Sequence, residues 1–486
     1  MFSEAETDPV LPKDKFKTQE ARLRTALLKA QYDLLKKADR SLLIVVAGID
    51  GAGKGATINL LNEWMDPRHI HTMAFGPPAE SEAQRPPLWR YWNELPENGR
   101  IGIVFGSWYQ PLLREAARKH PDADTLERHA THVRAFEAQL AANGVQVIKL
   151  WYHLSAKAQA ERTERLLSSP ETSWQVTPAD RKVARKFKRL RSAAEVALTH
   201  TDVPYAPWVI VPSADESMRT VCTAETVLRA LRRRGAPRVS QPSTPARPRI
   251  TDRLARLDYA VHADKDEYDT ELGLLQGRLA RAVRSPKFDK HSLVLVFEGQ
   301  DAAGKGGAIR RVTQALDARQ FDITPVSAPA PHELARPYLW RFWRRIPSHG
   351  RVAIFDRSWY GRVLVERVEK FTPPTAWQRA YGEINDFERQ LADSGAIVLK
   401  FWLAVTPDVQ LERFQEREAS PFKNFKITPD DWRNREKWQP YADAANEMMA
   451  RTDSGHAPWH LISANDKRHA RLQVLRHVVQ ALESQL

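Results

Sequence analysis

Short apolar runs alternate with amphipathic stretches along this chain. In the C-terminal half the apolar runs cover residues 293–297, 322–327, 352–355, 397–403 and 459–462. Between them lie segments with helical spacing, notably 338–345, 377–393 and 407–416. Strand and helix in alternation predict a parallel sheet covered on both faces. Matching runs at 42–46 and 101–105 open the same pattern in the N-terminal half. Every run is strand-sized, far short of the roughly 20 residues a membrane helix needs, so no membrane partner is expected.

The pattern is a repeat. At an offset of 251 positions, Arg85-Pro86 falls on Arg336-Pro337 and Leu88-Trp89-Arg90 on Leu339-Trp340-Arg341. Ser107-Trp108-Tyr109 falls on Ser358-Trp359-Tyr360, Phe136-Glu137 on Phe387-Glu388, and Ala206-Pro207-Trp208 on Ala457-Pro458-Trp459. A period this long denotes duplicated globular domains, not a solenoid. The stretch around 232–249 is rich in Pro, Ser and Arg and lacks an apolar period, which marks an exposed linker. The expected division is therefore a domain over 1–235, a linker over 236–250 and a second domain over 251–486.

Each copy carries Gly-x4-Gly-Lys directly after its first apolar run: Gly48 to Lys54, and Gly299 to Lys305. Strand, loop and helix in that order aim consecutive backbone N–H groups at a phosphate, including those of Gly304 and Gly306, and bring Lys305 to its oxygens. The expected fold is α/β: two tandem P-loop kinase-like three-layer α/β/α domains with parallel sheets and a helical lid.

Phosphoryl transfer also needs a metal and cations that shield the moving group. The Ser or Thr that usually follows the loop lysine is replaced here by Gly55 and Gly306. Other oxygens must then hold Mg2+, and Asp301 in the loop and Asp356 at the end of a buried strand are the candidates. Arg357 follows as a clamp for phosphate oxygens. In the first copy Phe105 and Gly106 stand at these two positions. The second copy is thus expected to be catalytic and the first to be a structural or dimerising partner, in a homo-oligomer.

A basic stretch late in the second copy includes Arg413, Arg417, Lys423, Lys426, Arg433, Arg435 and Lys437. Arg413 and Arg417 share one helical face, so an anion between them is expected, and the stretch suits a lid closing over phosphates. Arg336 and Arg341, beside Trp340 and Trp343, are further candidate anion contacts. The 15 tryptophans are otherwise read as core.

Net charge is +14, which suits a polyanionic partner without choosing among polyanions. The single cysteine, Cys222, excludes an intrachain disulfide and fits a reducing compartment. Residues 1–20 are of mixed charge with no apolar core, so no signal peptide is expected and the location expected is cytoplasmic.

Taken together, Glu298-Gly-x-Asp-Ala-Ala-Gly-Lys-Gly-Gly307, Tyr338-Leu-Trp-Arg341 and the run from Phe355 through Asp-Arg-Ser-Trp-Tyr to Arg367 closely resemble the polyphosphate kinase 2 family. Two fused copies with a competent C-terminal half look like its two-domain branch. The resemblance implies transfer of a terminal phosphoryl group from inorganic polyphosphate to AMP, giving ADP, with magnesium. It implies catalytic roles for Asp301, Lys305, Asp356, Arg357 and Arg417. It also implies that Glu366 orients Arg362 or a metal-bound water. Phosphorylation of ADP or other nucleoside diphosphates, and an ATP-dependent nucleotide kinase, are the alternatives. A basic surface that serves polyphosphate needs no nucleic-acid partner, and no nucleic-acid-binding module is recognisable.

Overall fold

The computed structural model describes residues 1–176, 178–233, 250–422 and 424–486. The linker expected over 236–250 lies outside the described residues except for Ile250, as do Lys423 and the side chain of Lys426. The chain forms two compact units. One comprises Met1–Pro78, Arg90–Pro242 and Ala330–Trp340; the other comprises Ala79–Trp89, Ser243–Pro329 and Arg341–Leu486. Each unit thus includes a short segment from the opposite half of the sequence.

In the first unit β1 (Ser41–Gly48), β2 (Ile70–Ala74), β3 (Ile101–Phe105), β4 (Val145–His153) and β5 (Trp208–Pro212) form a parallel sheet in the order β2-β3-β1-β4-β5. The second unit repeats this with β6 (Ser292–Gly299), β7 (Phe321–Pro325), β8 (Val352–Asp356), β9 (Ala396–Ala404) and β10 (Trp459–Ser463), in the order β7-β8-β6-β9-β10. All its pairings are parallel as well. The apolar runs predict all five strands of the second unit to within a few residues. The central strands are buried along their length, as a sheet covered on both faces requires. The second core packs Leu293, Leu295, Phe297, Ile354, Leu399 and Phe401 against helix Lys467–Gln485.

The helix expected over 338–345 is shorter. Only Trp340–Trp343 is helical, because Pro337 before it and Pro347 after it limit the run. The expected helices over 377–393 and 407–416 are present as Pro374–Asp393 and Pro407–Glu418.

A buried charged network recurs in both units. Lys400 Nζ, wholly buried, donates to Glu388 Oε2 at 2.7 Å, Tyr360 OH at 2.9 Å and the Thr452 carbonyl at 2.6 Å. Glu388 also accepts from Trp359 Nε1 at 3.0 Å. Lys149, Glu137, Tyr109, Thr201 and Trp108 repeat every element of it. An ammonium can be held in a core only when its donors are met in this way. The network anchors the segment that leaves β8, or β3, at its C-terminal end.

Candidate active site

In register, Phe297 of β6 pairs with Asp356 of β8, so the loop after β6 and the tip of β8 emerge side by side. This is the carboxyl edge of the sheet, where open α/β folds bind ligands. Gly304 caps helix Lys305–Thr313 with φ at 99°, a left-handed conformation that turns the loop into the helix. Lys305 Nζ folds back onto the carbonyls of Gly299 at 2.8 Å and Gln300 at 3.1 Å. Burial pushes its pKa below the ordinary lysine value, against the pull of Asp301.

Asp301 is the hub. Its carboxylate accepts from Arg357 Nη2 at 2.8 Å and from Asn434 Nδ2 at 2.9 Å, and its carbonyl accepts from Gln410 Nε2 at 3.0 Å. Burial opposes its charge, but Lys305 and Arg357 outweigh that and hold the carboxyl below its usual range. The Asp356 carboxylate, by contrast, has no hydrogen bond or ion pair among the described residues, while its backbone carbonyl accepts the Val326 N–H at 2.9 Å. Magnesium takes one or two protein carboxylates and completes its shell with water and phosphate oxygens, and Asp356 with Asp301 across the loop is a donor set of that kind. Among the described residues there is no cluster of three or more His, Cys, Asp or Glu able to enclose a metal by themselves.

Asp301 and Arg357 line two cavities of opposite character. One is basic and runs along the phosphate loop, lined by Lys305, Arg310, Arg311, Asp356, Arg417 and Arg471 among others. The other is largely apolar, with Leu364, Val365, Trp402, Trp438 and Tyr441 around Glu298 and Asn434. A polyanion fits the first and an aromatic ring the second, with the Asp301–Arg357 pair where they meet.

The structure brings Asp301, Gly304, Lys305, Gly306, Asp356, Arg357 and Arg417 together around the basic cavity. It assigns other partners to several predicted contacts. Arg413 is buried, and its guanidinium donates to the carbonyls of Ala302, Ala464 and Asn465. It therefore props the loop through three of its five N–H donors, and with Arg417 it lines a cavity beside Gly304 and Gly307. Arg336 belongs to the first unit, where it donates to the Leu95 carbonyl and pairs with Glu97 at 2.9 Å. The expected phosphate contact at Arg336 is thus replaced by an ion pair. Arg341 donates to the Ser327 carbonyl at 3.0 Å. Arg362 pairs with Glu366 at 3.0 Å and donates to Thr372, in line with an orienting carboxylate at Glu366. Burial raises the Glu366 pKa against the influence of Arg362.

Most of the expected basic lid is paired internally. Arg435 donates to the Pro407 carbonyl, and Lys437 and Arg433 meet Glu369. Sequence reasoning missed Asn434, Gln410, Arg310, Arg311 and Arg471. The signal was available in the repeat: at the same offset Arg310, Arg311, Arg417 and Arg471 become Asn59, Leu60, Leu166 and Thr220. Of the basic lining the first copy keeps only the loop lysine. In its loop Lys54 donates to the Gly48 and Ile49 carbonyls and to Asp50. The buried guanidinium of Arg219 lies against Gly53, held by Thr57 and the Ser213 carbonyl.

Comparison with known proteins agrees with this geometry. The chain is 47% identical over 490 residues to a polyphosphate:AMP phosphotransferase of Pseudomonas aeruginosa, covering 100% of this chain and 99% of that one. It is 40% identical to a protein of the same name from Acinetobacter johnsonii, covering 96% of each. The crystal structure of a protein described as polyphosphate kinase 2 from Pseudomonas aeruginosa superposes with a TM-score of 0.88 at 46% identity, covering 100% of this chain and 99% of that one. The family model for Polyphosphate kinase 2 (PPK2) matches twice, over residues 10–238 and 262–486. The chain belongs to the polyphosphate kinase 2 family.

Proposed function

We propose that this chain transfers the terminal phosphoryl group of inorganic polyphosphate to AMP, forming ADP. The observation that carries this reading is the pair of unlike cavities meeting at Asp301 and Arg357. Full-length relatives named for the same reaction support it.

In this reading polyphosphate lies in the basic cavity, its end held by the N–H groups of the loop and by Lys305, Arg310, Arg417 and Arg471. The nucleoside of AMP sits against Trp402, Trp438 and Tyr441. An oxygen of the AMP phosphate bonds to the terminal phosphorus as the bridging P–O bond to the chain breaks, and the shortened chain keeps the electron pair. The acceptor oxygen is already ionised near neutral pH, so the protein orients and shields rather than removing a proton. Arg357 faces the equatorial oxygens, and Asp301 fixes Arg357. Magnesium, when bound at Asp356 and Asp301, would supply further charge neutralisation at the phosphates.

Incubation with AMP and magnesium, once with polyphosphate and once with ATP, tests the donor. ADP formed with polyphosphate is expected, and ADP formed only with ATP overturns the reading. ADP in place of AMP as acceptor tests the acceptor, and a preference for ADP would reassign the product to ATP.

A further inference from the structure

Glu298, near the end of β6, is buried, and its carboxylate accepts a hydrogen bond from Ser358 Oγ at 2.7 Å. Ser358 follows Arg357, whose φ of 62° lies in the left-handed region. A residue with a Cβ enters that region against a steric penalty and persists there only when its surroundings hold it. The Ser358 hydroxyl does both jobs open to it: its proton goes to Glu298, and its oxygen accepts the Tyr360 N–H at 3.2 Å. The turn is thereby tied to β6 on one side and to the following helical turn on the other.

The first copy is an internal control. It retains Ser107, Trp108, Tyr109, Glu137 and Lys149, the groups that anchor this segment in the core. It has lost three residues together: Ala47 stands for Glu298, Phe105 for Asp356 and Gly106 for Arg357. Gly106 has φ at 66°, so the turn keeps its shape there, but glycine adopts it without a brace. A buried carboxylate is costly to retain without a purpose. It is present only in the copy where the left-handed position bears a side chain.

We infer that Glu298 is a positioning residue for phosphoryl transfer: through Ser358 it locks the strained turn that aims the Arg357 guanidinium at Asp301. The inference rests on the function proposed above. It adds a residue that touches neither phosphate nor metal in that reading.

The test measures ADP formation from AMP and polyphosphate by the full-length chain, with melting temperature in parallel, for wild type, E298A, E298Q, S358A and the E298A/S358A pair. An inactive wild type would defeat the proposed function itself; an active one makes the variants informative about Glu298 alone. E298A and S358A should each lower kcat by about 10–100-fold with little change in KM for polyphosphate, because misaiming a catalytic group acts on the chemical step. The double variant should be no worse than the poorer single. E298Q, which still accepts the Ser358 proton, should recover most of the loss. E298A at wild-type kcat, multiplicative losses in the double variant, or E298Q as damaging as E298A would each overturn the inference. Should E298A fail to fold, S358A and E298Q decide: a low kcat in the first with a near-normal one in the second upholds it, and any other pairing overturns it.

Discussion

The Arg357 guanidinium reaches from the tip of β8 to within 2.8 Å of the Asp301 carboxylate in the phosphate loop, tying the two edges of the cleft together. Burial works against the Arg357 charge, yet Asp301 together with Glu298 and Asp356 more than compensates and raises its pKa above the ordinary guanidinium value. The backbone pays for this reach with a left-handed conformation. R357A and R357G both remove the guanidinium and should both lower kcat by about 10²-fold or more. They should differ in stability: R357G relieves the backbone and should exceed R357A by about 1 kcal/mol, read from denaturant midpoints.

Asp356 ends β8 beside the loop with its carboxylate unpaired among the described residues. Asparagine preserves its shape and removes the charge. D356N should lower polyphosphate-dependent ADP formation by about 10²–10³-fold while leaving the melting temperature close to wild type, since no folded-state partner is lost. Magnesium titration of the residual activity should show a weakened requirement; unchanged magnesium affinity would remove Asp356 from the metal site.

The first unit keeps a loop lysine but lacks the basic wall. Lys54 spends its donors on Gly48, Ile49 and Asp50, and Arg219 lies against Gly53. K54A should therefore leave kcat and the KM for polyphosphate essentially unchanged, whereas K305A should abolish turnover. Steady-state kinetics on both variants check this, and a large loss in K54A would assign a working phosphate site to the first unit.

His460 on β10 packs against His477 with ring centroids 4.0 Å apart and the rings tilted by 31°. Burial, with a lesser contribution from His477, lowers the His460 pKa to about 4, and burial lowers that of His477 too. Both rings are thus favoured neutral in the folded protein and protonate first in the unfolded chain. Stability should be full above the ordinary histidine range and fall as pH drops from about 6.5 towards 4. The first copy has Val209 and Thr226 at these positions. H460V should flatten the fall in melting temperature over that pH window, and an unchanged slope would exclude the pair as its source.

Much of this was readable from the chain because buried parallel strands are nearly continuous apolar runs and the phosphate loop has fixed spacing. Asp301, Lys305, Asp356 and Arg357 could be placed because each is pinned to a strand end. Arg413 and Arg336 show the limit. Spacing on a helix gives a face but not the partner, and Arg413 finds three carbonyls from two other segments while Arg336 finds Glu97. Asn434 meets Asp301 across 133 positions of sequence, and no local pattern encodes such a contact. The aromatic cavity was hidden likewise, since Trp402 and Trp438 read as ordinary core and nothing local links Tyr441 to them until the fold gathers all three.

Gly106 bears on how freely the two halves could exchange roles. A Cβ built on it would stand 2.0 Å from the Phe75 carbonyl oxygen, inside any allowed approach. An arginine could not occupy that position unless the backbone at 75 gave way. Grafting the second unit's guanidinium onto the first therefore takes two coordinated changes, one at 106 and one in the chain beside it.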